Sequence, residues 1–203
     1  MDIFGPQWLN HAERMLSNCA KVVAEDDLLL IPGDISWALK RRDAEVDLAF
    51  ISKFPGIKVL CKGNHDYWWD SDKPLAFDGL YDTPYRLSTN ELGIAGTRGW
   101  IQPNSQMEPD DVRSSLNIIA REKRRLSKRL DAIRSCEKKI VITHYPPLED
   151  FREILAEHGV AVVLYGHLHL GGSEHPPPED WHGIKTICVA ADRINFIPKL
   201  ITI

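Results

Sequence analysis

The sequence predicts an α/β fold, on three observations. Short runs of Val, Ile and Leu recur along the chain, the segments between them carry helical periodicity, and the runs are near-continuous rather than alternating, as in strands covered on both faces. The runs are residues 28–31, 57–61, 92–95, 140–142, 160–165, 184–190 and 196–203. Ahead of them, residues 1–7 are turn-like and residues 8–23 read as a helix. Between the first two runs, residues 43–54 place Val46, Leu48, Ala49 and Phe50 at helical spacings, which makes a βαβ unit. A longer helix is predicted from Pro109 to Arg134. It opens on Pro109 with Asp110 and Asp111 at the positive dipole end, and Val112, Leu116, Ile119, Leu126, Leu130 and Ile133 repeat at three and four. Its other face is basic, with Arg121, Lys123, Arg124, Arg125, Lys128 and Arg129, and reads as a solvated face rather than a nucleic-acid stripe because Glu122 and Asp131 interrupt it. Pro176-Pro177-Pro178 marks a rigid exposed loop between strands, and Thr83-Pro84 a turn.

Composition narrows the class. The chain has 203 residues, 25 Lys+Arg against 29 Asp+Glu, and 43% hydrophobic content, the profile of an ordinary globular protein and not of a disordered or fibrous one. A single domain over residues 1–203 is the expectation. The longest apolar run, residues 160–165, falls far short of the ~18 residues of a bilayer span. Asp2, Glu13 and Arg14 occupy the place of a secretory signal's apolar core. Cys19, Cys61, Cys136 and Cys188 form no zinc-binding spacing and suit a reduced compartment, so the expected location is cytoplasmic. The net charge of −4 argues against bulk capture of nucleic acid.

Four of the runs end in polar residues able to bind a metal ion. Gly33-Asp34 follows the first, Gly63-Asn64-His65-Asp66 the second, His144 the fourth and Gly166-His167-Leu168-His169 the fifth. In an open α/β sheet the ligand crevice lies beyond the carboxyl ends of the strands, so the four clusters are expected to converge. Singly each has an ordinary reading: Gly33-Asp34 as a turn, His144 as a strand terminus. His167 and His169, at i and i+2 in extended chain, would present two imidazoles to one side.

In this order the strings resemble motifs of the calcineurin-like metallophosphoesterase superfamily. GDISWA at 33–38, KGNHDYWW at 62–69, GTRGW at 96–100 and THYPP at 143–147 resemble a small bacterial subgroup of it. The resemblance implies a four-layer αββα sandwich of two mixed sheets. Family members open with a strand ending in Asp-x-His, which nothing before Gly33 supplies, so the first strand is expected to be missing and Met1 to be an internal methionine. It implies metal-dependent hydrolysis of a phosphomonoester or phosphodiester, with a small phosphoester as partner and a dinuclear centre of Mn, Fe or Zn, metals that suit Asp, Asn and His donors. Carried over by residue, Asp34 would bridge the metals, Asn64, His144 and His167 would complete one site, and His169 would serve the other. Only one site would then be complete, and one tight metal is expected. His65 would donate a proton to the leaving oxygen, with Asp66 orienting its ring. Arg98 reads either as a phosphate clamp or as a structural ion pair. Trp37, Trp68, Trp69 and Trp100 either wall the crevice or pack. His158, His175 and His182 match no motif and are expected at the surface. Two other functions stay open: a degenerate member that binds one metal as a non-catalytic interaction scaffold, and a nuclease.

Overall fold

The computed structural model describes residues 5–69, 75, 77–80, 83–172 and 175–203. A 3-10 turn at Pro6–Trp8 and helix α1, His11–Val22, lead to the first strand. Strand β1 (Leu28–Ile31), helix α2 (Arg41–Ile51) and strand β2 (Ile57–Leu60) form the anticipated βαβ unit, with Leu28 opposite Ile57 in a parallel pair. Strand β3 (Asp78–Gly79) adds to the far side of β2, and this three-stranded sheet is parallel throughout.

The second sheet has six strands: β4 (Tyr85–Arg86), β5 (Leu92–Thr97), β6 (Lys138–Thr143), β7 (Val162–Tyr165), β8 (Asp180–Trp181) and β9 (Ile184–Cys188). Their order is β4-β5-β6-β7-β9-β8, parallel in the middle and antiparallel at both edges. Helix α3 (Pro109–Ala132) crosses from β5 to β6, and α4 (Glu149–Glu157) from β6 to β7.

The period of two along each strand sorts side chains between layers. Val59 and Cys61 meet Ile94, Ile140, Ile142, Val162, Leu164 and Ile187 between the sheets. Leu60, on the opposite face, packs with Ala44 and Leu48 of α2 and with Trp68 and Trp69. Ala95, Val141 and Val163 carry α3 and α4 through Ile119, Leu126, Leu130, Phe151 and Leu155. The layers are therefore α2, the small sheet, the large sheet, and α3 with α4. Each fully buried Leu or Phe in these clusters contributes roughly 1.5–3 kcal/mol. Burial pushes the Cys61 thiol up to about 12, so it behaves as a small apolar filler.

Three local expectations are corrected. Residues 196–203 form no strand: Asn195 and Phe196 adopt left-handed φ of 52° and 59°, and Pro198 brings no N–H to a ladder. The basic face of α3 is not wholly solvated, because Glu122 and Arg129 are buried where the helix crosses the upper end of β5. His158 is buried, its Nδ1 hydrogen-bonded to the Ile154 carbonyl oxygen and its Nε2 to Asp131 of α3. His175 and His182 are exposed.

Candidate metal centre

The motif loops follow β1, β2, β6 and β7 at their carboxyl ends. The loops after β1 and β2 touch backbone to backbone. Gly33 has φ of +103°, and a Cβ there would lie 2.4 Å from the Gly63 nitrogen; a Cβ on Gly63 would lie 2.1 Å from Asp34 Oδ1. Only glycines permit this approach. Buried Asp66 ties the two loops together. Its Oδ2 accepts the N–H groups of Asp34 and Gly63, both at 2.8 Å, and its Oδ1 those of Ile35 (2.9 Å), Ser36 (3.0 Å) and the Trp68 indole (3.1 Å). Burial raises the Asp66 pKa, and the N–H donors of Ser36, Gly63 and Asp34 oppose that rise. The network holds Asp34 at φ of +58°, a left-handed conformation that a non-glycine residue keeps only when its surroundings enforce it.

Asp66 does not orient the His65 ring, since backbone and indole donors take both of its oxygens. The ring instead stacks on the Trp37 indole, with centroids 4.2 Å apart and planes 20° apart, and meets the edge of Tyr67. The His65 backbone N–H donates to Asp34 Oδ1 at 2.9 Å. Trp37 is half exposed, whereas Trp68 and Trp69 are core residues.

Three candidate donors converge on one point. Buried His144 directs Nδ1 at the Pro32 carbonyl oxygen, 2.9 Å away, and Nε2 at Asn64 Oδ1 (2.6 Å) and Asp34 Oδ2 (3.4 Å). Burial lowers the His144 pKa, and a neutral ring whose Nδ1–H donates to Pro32 has its lone pair at Nε2. Nε2 thus faces the Asn64 amide and the Asp34 carboxylate. Among the described residues no three His, Cys, Asp or Glu side chains group as an ion cage. The convergent set instead includes an amide oxygen. One carboxylate, one amide oxygen and one imidazole, the last with its far nitrogen fixed by a carbonyl, fit a hard or borderline divalent cation.

His167 and His169 do not lie in extended chain. The segment after Gly166 is a tight turn, with the Leu168 N–H donating to Gly166 and that of His169 to His167, and His167 takes φ of +62°. The His167 ring lies 5.1 Å from that of His144 and 4.3 Å from that of Tyr145. The His169 Nδ1 lies 2.9 Å from Asp192 Oδ1 and its ring stands on edge against Trp8, while the residue remains close enough to His144 to act on it electrostatically. Asp192 is buried and also accepts the Leu170 N–H at 2.8 Å, while the Arg193 guanidinium donates to the Leu168 and His169 carbonyls. The motif reading missed Asp192 and Arg193. The signal for them was the one used elsewhere, polar residues just past an apolar run, here residues 184–190. Arg98 contributes its carbonyl to the His144 and Tyr145 N–H groups, at 3.2 and 3.1 Å, and lays its guanidinium over Trp100, 4.5 Å from the ring centre.

The sequence profile of the calcineurin-like phosphoesterases matches residues 2–171, a span that holds all four motif loops. The chain belongs to the calcineurin-like phosphoesterase family. As a calcineurin-like phosphoesterase it is a metal-dependent phosphoesterase in general terms. No curated protein matches the sequence. Among solved structures, AQ665 of Aquifex aeolicus, a protein of unknown function, is 20% identical with a TM-score of 0.50, over 93% of this chain and 80% of that one. TT1561 of Thermus thermophilus is 15% identical with a TM-score of 0.54, over 91% of this chain and 84% of that one. At such identities the likeness is one of fold. No helix among the described residues of this calcineurin-like phosphoesterase is long and apolar enough to cross a membrane.

Proposed function

We propose that the chain hydrolyses a small phosphomonoester or phosphodiester at the loops after β1, β2, β6 and β7. Asp34, Asn64, His144 and His167 would hold one divalent cation, and Asp34 with His169 a second. The observation that carries this reading is the convergence of His144 Nε2, Asn64 Oδ1 and Asp34 Oδ2 on a point that favours positive charge. A bound Mn, Fe or Zn ion supplies positive charge that offsets the repulsion between an anionic ester and its nucleophile. The chain's own residues do the positioning. Asp66 fixes Asp34 relative to Gly63, and Pro32 fixes the His144 ring. His65, half-buried against Trp37 and one residue from Asn64, is placed to give a proton to the leaving oxygen. Asp192 orients His169 as a carboxylate behind an imidazole ligand does.

A second reading, a single-metal scaffold without catalysis, draws on the unequal donor sets: four candidate donors on the Asn64 side against two on the His169 side. Assays of the full chain with Mn²⁺ on nitrophenyl phosphate and bis(nitrophenyl) phosphate separate the two. Hydrolysis that chelator abolishes and Mn²⁺ restores is expected. A chain that binds Mn²⁺ and cleaves neither ester is the scaffold.

A further inference from the structure

A polar cavity of about 140 Å³ opens at the carboxyl ends of β2 and β5, and its lining includes Lys62, Arg98, Arg121, Arg125, Arg129 and Glu122. Arg121, Arg125 and Arg129 lie four residues apart on α3 and so share one face of it. Glu122, with a side chain 4% exposed, receives Arg125 Nη1 at 2.8 Å, Arg121 Nε at 3.4 Å and the Thr97 hydroxyl at 2.7 Å. Arg129 donates to the Gly96 carbonyl, which β4 leaves open because its pairing with β5 covers only Gly93 and Ile94. Lys62 donates to the Trp69 carbonyl at 2.7 Å. The described lining residues thus include five cationic side chains and one carboxylate, of which Arg121 and Arg125 pair with Glu122.

We propose that this cavity is a phosphoryl subsite that seats a second phosphate group of the substrate, so that the preferred substrate is a small molecule carrying two phosphoryl groups. For the group that is cleaved, the inference rests on the function proposed above. At roughly 30 Å³ per water the cavity has space for four or five waters, enough for one phosphoryl group and too little for a sugar or base beside it. Guanidinium groups pair bidentately with phosphoryl oxygens, which suits an arginine-rich lining. The cavity also shares backbone with the candidate metal centre. Lys62 directly precedes Gly63-Asn64, and the Arg98 carbonyl accepts the His144 and Tyr145 N–H groups. The cavity and the candidate metal centre thus stand on neighbouring loops of the same two strand ends.

The test uses the full chain and the double variant Arg98→Gln/Arg121→Gln, which leaves the Glu122–Arg125 pair intact. Calorimetry with pyrophosphate in the presence of chelator is expected to show binding that the double variant weakens at least tenfold and that Asp34→Ala leaves in place. With Mn²⁺, the ratio of kcat/KM for a hexose bisphosphate to that for the hexose monophosphate is expected to fall at least tenfold in the double variant, chiefly through KM. Pyrophosphate binding equal to that of the unmodified chain overturns the subsite. Weakened pyrophosphate binding with an unchanged ratio assigns the cavity to free phosphate ion and overturns the substrate claim. Loss of pyrophosphate binding in a chain that hydrolyses no ester keeps the subsite and overturns the proposed function instead. Should the double variant melt early, Arg121→Gln alone, at a side chain 46% exposed, serves the same comparison.

Discussion

Asp66 shows how one side chain sets the geometry of a site without reaching into it. Its two oxygens take five N–H donors from two loops. In Asp66→Asn, one oxygen becomes an NH₂ group that faces at least two of those donors. A buried donor left without an acceptor costs about 1–3 kcal/mol, so a loss of about 3 kcal/mol is expected. For a chain of this length that corresponds to a fall in Tm of roughly 6–12 °C, readable by circular dichroism. His65 and Asp34 should separate differently. His65→Ala is expected to lower turnover by roughly 10²- to 10⁴-fold while the bound Mn²⁺ is retained, and Asp34→Ala to lose metal and turnover together. Metal loss in His65→Ala would move that residue from proton donor to ligand. The convergence of Asp34, Asn64 and His144 was legible because glycines and strand ends frame them. The role of Asp66 was not, since adjacency to a histidine in sequence says nothing of where the carboxylate points, here at the N–H groups of the Asp34 loop and of Gly63.

At the scale of elements, the strand ends carry the site and the helices set what surrounds it. The turn at Gly166 shows the difference between a strand end and a strand. Strand alternation puts an i, i+2 pair on one side only in extended chain; here a left-handed φ of 62° at His167 replaces it, the His167 ring lies 5.1 Å from that of His144, and Asp192 holds His169 Nδ1. Removing the carboxylate with Asp192→Ala is expected to weaken Mn²⁺ binding on the His169 side by roughly 10- to 100-fold in a metal titration, with a smaller effect on the Asn64 side. Helices α3 and α4 are joined by His158, Asp131 and Arg134. Hydrogen bonds from Arg134 and His158 hold the Asp131 carboxyl below its ordinary value of 3.8. A carboxyl lowered in the folded state binds fewer protons there than in the unfolded chain. Its stabilising contribution is therefore complete above about pH 3.8 and disappears as pH falls through the lowered folded value. Urea midpoints of the unmodified chain and Asp131→Asn, compared from pH 5 downward, are expected to differ at the upper end and to converge at the lower. The basic stripe on α3 was legible as a stripe, but its burial depends on how the helix crosses the end of β5, which helical periodicity does not encode.

For the molecule as a whole, the near-continuous apolar runs declared buried strands, and the helices between them declared parallel crossovers. Residues 28–31 and 57–61 therefore gave a βαβ unit directly, whereas the parallel pair β6 and β7 with α4 between them is a finding of the structure. The division into two sheets was not legible from the runs, because an apolar run buries equally well in either, and the antiparallel edges β4 and β8 are too short for any pattern. Residues 196–203 misled for the related reason that an apolar segment packs against a core without pairing: Ile201 touches the layer between the sheets from irregular chain. What the fold achieves is to bring four strand ends, separated by more than a hundred residues between Asp34 and His144, to one place. The central claim is that this place holds a divalent cation among Asp34, Asn64 and His144. Calorimetric titration of Mn²⁺ into the full chain and into His144→Ala tests it most directly. About one tight equivalent in the unmodified chain, lost in His144→Ala, is the predicted result; no binding in the unmodified chain, or equal binding in His144→Ala, would contradict it.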